Sequence, residues 1–504
     1  PCSRSAESLG RGTGVVPLSR PTFELPSRTS LRTAGQSLKE VFTPTVRLGV
    51  TGLSRAGKTV FITALVRNLM IGGRLPFFTP EAEGRLRDCI LEPQPDDAVP
   101  RFDYESHLAR LAADPPDWPE STRRISELRL SLGFRPRDVI RRTLGLDRLH
   151  IDIVDYPGEW LIDLGLLEQT FAEWSRDALR KANAPHRAAL SAEWRAFAEQ
   201  ASGVPDAEQA AIEGARKFTA YLAAAKASEH GVGCLTPGRF LMSGDLAGSP
   251  LLTFFPLDLA ALPETAATSL HRLLEKRFDS YKREVVKPFF RNHFLKLDRQ
   301  VVLIDVLGAL SRGPESVSDL EEALTSVLSA FRPGANSWLS SLYGRRIDRV
   351  LFAATKADHI SRASHDRLEA ILMALTQRAV GRVTSAGGDV RVMALAALRA
   401  TREAEVRRGA EPLPCIAGIP MPGEVVAGQV FDGKREAVIF PGDLPSDPLA
   451  ALAHPGRELS GSAATFVRFR PPRLVPALGF GEPAPTPHIR LDRALDYLIG
   501  DWLP

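Results

Sequence analysis

One segment constrains this chain more than any other: Gly52-Leu-Ser-Arg-Ala-Gly57-Lys58-Thr59, which follows an apolar strand-like run, Val46–Thr51, and opens a helical stretch from about Lys58 to Met70. The spacing G-x-x-x-x-G-K-[ST] turns successive backbone N–H groups inward around a polyphosphate, and bulky side chains at its glycines would block that turn. Gly52, Ser54, Arg55, Ala56, Gly57, Lys58, Thr59 and Val60 are therefore the candidate phosphate-binding residues. Lys58 can reach the β- and γ-phosphates, and the Thr59 hydroxyl suits Mg²⁺. The amides at the start of the helix add the positive end of its dipole.

The rest of the chain alternates strand and helix patterns, which selects an α/β class. Ile125–Leu132 and Leu149–Asp155 read as strands, and residues 71–121 between the loop and the first of them read as irregular and Pro-rich. Residues 159–298 are rich in Ala, Leu, Glu and Arg at three- and four-residue steps and predict a helical insertion, broken by a loop or hairpin at Pro237–Pro256. Strands are expected again at Gln300–Val306, Asp348–Ala354 and Asp389–Leu395, with helices at Glu315–Phe331 and Ser361–Val380. The expected organisation is a tail, 1–43; a first part of a nucleotide domain, 44–158; the helical insertion, 159–298; a second part, 299–404; a small β-rich insertion, 405–470; and a final segment with a helix, 471–504.

Asp155-Tyr-Pro-Gly158 ends the strand LHIDIVD and matches D-x-x-G, in which the Asp holds Mg²⁺ and the glycine amide senses the γ-phosphate. Glu159 occupies the place of a water-orienting residue, and reads either as a catalytic group or as a solvated or capping glutamate. Thr355-Lys-Ala-Asp358 follows the strand RVLFAA; a carboxylate at Asp358 can accept both neighbouring donors of guanine, which adenine does not offer. The Lys356 stem can cover the base while its head ties down the phosphate loop, His359 packs near the purine or sits exposed, and Ala397 belongs to a following loop that offers an amide to the base. For the first switch, Trp118, Ser121 and Thr122 are the candidates, Thr122 as a second hydroxyl for Mg²⁺ and Trp118 as a base or ribose contact or a core residue. Arg123 or Arg124 is a weaker candidate for an internal arginine finger.

Composition excludes several alternatives. The chain has 504 residues and net charge +4, and residues 1–47 hold seven basic against three acidic residues, 7 − 3 = +4, so everything after them is formally neutral and a general nucleic-acid surface is not expected. The tail reads as a disordered basic arm, with a weak peripheral contact to acidic lipids as the alternative. No apolar run approaches the roughly 20 residues a spanning helix needs. Cys2, Cys89, Cys234 and Cys415 lie far apart without metal-ligand spacing, so reduced thiols and a cytoplasmic setting are the expectation.

The stretches GVTGLSRAGKTVFITALV, WPESTRRISELRLSL, IDIVDYPGEWLIDL, GRFLMSGDLAGSPLLTFFPL, VVLIDVLGALSRGPES, FRPGANSWL, RVLFAATKADHI and PHIRLDRALDYLIGDWL resemble the YcjX family of P-loop GTPases, from about residue 44 to the C-terminus. The resemblance implies a Ras-like domain with a mostly parallel sheet flanked by helices, a helical insertion, GTP and GDP as ligands with Mg²⁺, slow hydrolysis without a partner, and a role in bacterial stress response. The alternative is a nucleotide-gated scaffold with negligible hydrolysis, its insertions facing an unknown effector protein. An ATP-dependent kinase fits less well, because TKAD selects guanine.

Overall fold

The computed structural model describes residues 43–504 except 53–55, 121–123, 144–145, 202–205, 229–234, 259–268, 330–346, 386–387, 409–410, 427, 454–465 and 475–483. Residues 44–504 form one unit by their internal contacts. Of the sequence expectations, the tail, Ser54, Arg55, Ser121, Thr122, Arg123 and the stretch FRPGANSWL fall on residues outside this description.

Among the described residues, a seven-stranded sheet runs in the order β2-β3-β4-β1-β5-β6-β7. Its strands are β1 (Thr45–Gly52), β2 (Leu86–Glu92), β3 (Ser126–Phe134), β4 (Arg148–Asp155), β5 (Arg299–Ile304), β6 (Arg349–Ala354) and β7 (Asp389–Ala394). From β4 through β7 the neighbours are parallel, and β2 and β3 are added antiparallel at one edge. Parallel pairing needs helical crossovers and buries both faces, which explains strands that are apolar nearly throughout. In β5, Val301 and Leu303 belong to one apolar core and Val302 and Ile304 to the other, as the two-residue period of a strand requires.

One face is covered by α1 (Lys58–Ile71) and the C-terminal helix α12 (Leu491–Ile499). The other carries α9 (Val306–Arg312), α10 (Pro314–Ser329) and α11 (His365–Ser385), together with the helices between β4 and β5. Those helices include α3 (Gly158–Ile162), α4 (Phe171–Ala182), α5 (Pro185–Ala201), α6 (Ala207–Ala227), α7 (Gly238–Leu241) and α8 (Ser269–Tyr281). They pack on aromatic side chains: Trp174 of α4 stacks on Phe278 of α8 at 5.1 Å, and Phe218 of α6 lies edge-on to Trp174 at 6.0 Å. Gly214 of α6 lets the Phe255 ring touch the helix backbone, since a Cβ there would lie 2.1 Å from the ring.

Two expectations differ from the structure. Residues 71–121 are not irregular throughout: they contain edge strand β2 and helix α2 (Tyr104–Ala112). In β2 Cys89 is the one buried side chain, so no hydrophobic alternation marks it. Pro237–Pro256 is neither open loop nor hairpin but α7 followed by single helical turns at Gly244–Leu246 and Pro250–Leu252. Past β7, strands β8 (Arg402–Arg408), β9 (Glu411–Gly418) and β12 (Ala437–Ile439) form a three-stranded antiparallel sheet; β10 (Val425–Val426) and β11 (Gln429–Val430) pair separately.

Asp163 ties three segments of the helical region together. Its buried carboxylate accepts the Gly238 N–H at 2.7 Å and the Tyr281 hydroxyl at 2.6 Å, with the Arg239 N–H at 3.4 Å. Burial pushes this carboxyl up to about 6, against hydrogen bonds that pull it down. A folded value above the unfolded one means that the carboxyl favours folding most below about pH 4, and that this contribution is lost as pH rises through about 6. With one unit worth about 1.4 kcal/mol, the effect is about 3 kcal/mol. Chemical denaturation across this range should show the stability of the native chain falling relative to that of Asp163→Asn as pH rises, against the opposite contribution of half-buried histidines such as His293. A difference between the two chains that does not change with pH would contradict the assignment.

Candidate nucleotide-binding site

The carboxyl ends of the parallel strands are where α/β sheets bind ligands, because loops diverge there and helix N-termini point inward. At this edge lies a cavity of about 300 Å³ lined by Gly52, Ala56, Gly57, Lys58, Thr59 and Val60 on one side and by Thr355, Lys356, Asp358, His359 and Ala397 on another. Trp118, Gly158 and Glu159 also line it. The described candidates are in this wall except Asp155, which lies beneath it in contact with Lys58, and Arg124, which is exposed and does not line the cavity.

The phosphate side follows from local backbone chemistry. Gly57 has φ 79°, a left-handed conformation open to glycine at no cost, and it caps α1. A Cβ on Gly52 would lie 3.1 Å from the Leu303 side chain and 3.2 Å from Ala56, so the loop leaves β1 through a gap only glycine fits comfortably. Lys58 Nζ donates to the Tyr156 carbonyl at 2.7 Å and lies 2.8 Å from the Asp155 carboxylate. Asp155 is fully buried, and neither of its oxygens accepts a well-directed hydrogen bond. The Thr59 hydroxyl donates to the Glu120 carbonyl at 3.2 Å, which brings the residue before the candidate Ser121–Thr122 pair to the candidate metal-ligating threonine.

A buried carboxylate lacking directed donors, beside a threonine hydroxyl, fits a divalent cation. Among the described residues no group of three or more His, Cys, Asp or Glu side chains forms a protein-only cage. Mg²⁺ held by one carboxylate, one hydroxyl and phosphate oxygens needs none.

Glu159 is neither solvated nor a simple cap, contrary to one sequence expectation. It is 4% exposed, and Lys226 at the end of α6 donates to its Oε1 at 2.8 Å. The loop is further fixed by Gly238, where a Cβ would lie 2.3 Å from the Glu159 carbonyl oxygen. Nothing in local sequence couples residues 67 positions apart, so Lys226 was not legible before the fold.

On the base side, Lys356 adopts a left-handed backbone with φ 61°, strained for a side chain with a Cβ. Its head pairs with Asp305 at 2.5 Å, at the end of β5, rather than with a described residue of the phosphate loop. Burial pushes the Asp305 carboxyl up, but Lys356 and the Gly308 N–H outweigh it and hold it below the usual carboxylate range. Asp358 is 4% exposed; its Oδ2 accepts the Ala400 N–H at 2.7 Å, and its carbonyl accepts the Thr401 hydroxyl. His359 is buried, edge-on to Phe469 at 5.4 Å, so it is not the exposed loop residue that was one alternative. Burial pulls its imidazole down, with Asp358 opposing.

Trp118 is half-buried in the cavity wall, its indole N–H donating to the Phe469 carbonyl at 2.7 Å, so it is a wall residue rather than a core one. Phe469, Met421 and Arg468 reach the same wall from the segment around β9 to β12, and Met242 from the turn after α7. Sequence reasoning missed these, since their approach depends on long-range returns of the chain such as the bridge between Pro420 and Phe469.

Residues 46–503 match the YcjX-like family, DUF463. A protein of Escherichia coli (strain K12) named "Ras-like GTPase YcjX" is 38% identical over 470 residues, covering 91% of this chain and 96% of that protein. A protein of the same name from Shewanella oneidensis (strain MR-1) is 34% identical over 480 residues, covering 91% and 94%. With the family matched over nearly the whole length of the described unit, and the loops of the cavity inside that match, this chain belongs to the YcjX-like family.

Proposed function

We propose that this chain binds GTP and GDP with Mg²⁺ and hydrolyses GTP slowly as a nucleotide-dependent switch. The observation that carries the proposal is the convergence on one cavity of the phosphate-loop residues, the Gly158–Glu159 turn and Asp358, contributed by three separate strand ends. The names of the relatives, both Ras-like GTPases, support the same reading. On this reading the helices between β4 and β5 and the strands after β7 are insertions into a Ras-like frame, and they are the surfaces for an effector. A cytoplasmic setting suits a chain in which no described helix is long and apolar enough to cross a membrane.

The residues would divide the work as follows. The amide cradle and Lys58 bind the phosphates, with Lys58 leaving Asp155 as they enter. Asp155 and Thr59, with Thr122 as the expected partner from the first switch, would hold Mg²⁺, which neutralises charge developing between the β- and γ-phosphoryl groups. Asp358, pinned by the Ala400 N–H, presents its carboxylate to the purine edge. Ala397 lines the same side of the cavity, where its amide can meet the base. Glu159 is charge-balanced by Lys226, which removes the objection that a bare carboxylate would repel the γ-phosphate. In that paired state its carboxylate can orient a water.

Replacing Asp358 by Asn reverses one acceptor into a donor. Competition binding should show affinity for GTP falling roughly a hundredfold, about 3 kcal/mol, with preference moving to xanthine nucleotides. Unchanged discrimination would remove Asp358 from base reading.

Lys226→Met should leave Glu159 uncompensated. An unsatisfied buried charge costs about 1–3 kcal/mol, so GTP affinity should fall roughly ten- to hundredfold while GDP affinity holds, and Glu159→Gln in the same chain should restore it. Equal losses for GTP and GDP, or no rescue, would show that the pair serves the fold alone.

A further inference from the structure

A second and larger cavity, about 820 Å³, is formed by four stretches of chain far apart in sequence: 73–82, 362–365, 399–403 and 488–493. Its walls hold the guanidinium groups of Arg74, Arg362 and Arg493, each on an exposed side chain. The carboxylates in the same walls accept backbone amides, with Glu81 Oε2 left unpartnered. Glu81 Oε1 accepts the Gly73 and Leu75 N–H groups at 2.7 and 3.2 Å, and Asp492 accepts those of Phe77 at 3.1 Å and Arg493 at 2.9 Å. Glu403 accepts the Arg362 N–H at 3.2 Å. Among the described residues, no carboxylate pairs with Arg74, Arg362 or Arg493.

The other two arginines of the cavity are held in place. Arg490 pairs with Glu369 and Asp366, and Arg399 donates to the Thr401 carbonyl and lies 3.9 Å from Glu403. Arg490 also sits at φ 59°, a strained left-handed conformation, at the start of α12. His488 Nδ1 is buried in the same region and has no hydrogen-bond partner, while its Nε2 engages the Arg74 carbonyl. Five arginines and three carboxylates thus line a concave site, with Asp366 and Glu369 added on Arg490 and the Arg493 guanidinium over the Phe77 ring at 4.4 Å. The two guanidinium groups of Arg74 and Arg362, together with the unused His488 nitrogen, are the bidentate and polar groups that hold phosphate.

The same walls are bonded to the loops of the first cavity. His365 Nε2 meets the Ala357 carbonyl at 2.9 Å, inside the Thr355–Asp358 turn. Ile489 exchanges backbone hydrogen bonds with Ala396 at 2.8 and 3.1 Å, next to Ala397. The Arg399 N–H donates to the Pro487 carbonyl at 2.7 Å, one residue before the Ala400 N–H that pins Asp358.

We infer that this cavity is a second anion site, which takes a small free polyanion bearing phosphoryl groups and adjusts nucleotide release through the base loops. The site itself stands independently of the proposed GTPase function; the coupling rests on it. Binding should be measured with tripolyphosphate by isothermal titration of the full chain carrying Lys58→Ala, which silences the phosphate loop. Saturable binding is expected, weakened roughly tenfold or more by adding R74E, R362E and R493E. If that combined variant fails to fold by circular dichroism, R362Q and R493Q separately should each weaken binding in part. Absence of heat in the K58A chain, affinity unchanged by the arginine substitutions, or binding only to vesicles of anionic phospholipid would overturn the site. For the coupling, release of a fluorescent GDP chased with excess unlabelled GDP should change severalfold on adding tripolyphosphate to the otherwise native chain, and not in the arginine variant. Simple competition leaves a first-order release rate unchanged, so an unaltered rate would overturn the coupling while leaving the titration result to decide the site.

Discussion

A lysine ammonium and a carboxylate, Lys58 and Asp155, face each other at 2.8 Å at the bottom of the nucleotide cavity, the carboxylate wholly buried. Each charge would be costly there alone, since removing one member of a buried pair strands the other. Their pairing offsets both charges at the sheet edge. The strands that carry them explain the placement: β1 ends in the loop leading to Lys58, β4 ends at Asp155, and the two strands are paired in parallel with Val50 opposite Asp155.

Around that pair, remote parts of the chain supply what the sheet edge cannot. Helix α6 brings Lys226 to Glu159, and α7 is packed so tightly on the same turn that Gly238 admits no side chain. The segment after β9 brings Phe469 against both His359 and Trp118. The turn that follows β4 is thus held by the helical region, and the base side of the cavity is walled by the small antiparallel sheet region. Movement of either region would be felt in the cavity, and on the proposed reading this coupling is what would make the chain a switch.

The parts of the site that were legible in the sequence are those whose chemistry is local. The phosphate loop needs glycines at fixed spacing before a helix, and D-x-x-G and T-K-x-D each follow an apolar strand, so pattern and mechanism coincide. Strand β2 escaped detection because an edge strand with one buried side chain carries no alternating signal. Glu159 was ambiguous because its meaning depends on Lys226, and the pairing of Lys356 with Asp305 was not legible because Asp305 comes beside it only through the parallel pairing of β5 and β6. Such contacts are properties of topology, and no window of sequence contains both members.

The central claim is that one cavity binds guanine nucleotide through the phosphate loop and Asp358 together. Equilibrium titration of the purified chain with GDP, GTP and ATP in millimolar Mg²⁺ tests it directly. Saturable binding of both guanine nucleotides is expected, with ATP weaker by roughly a hundredfold or more, the discrimination of a site whose buried polar groups are left unpaired by the wrong base. Equal affinity for ATP, or no binding of either guanine nucleotide, would contradict it.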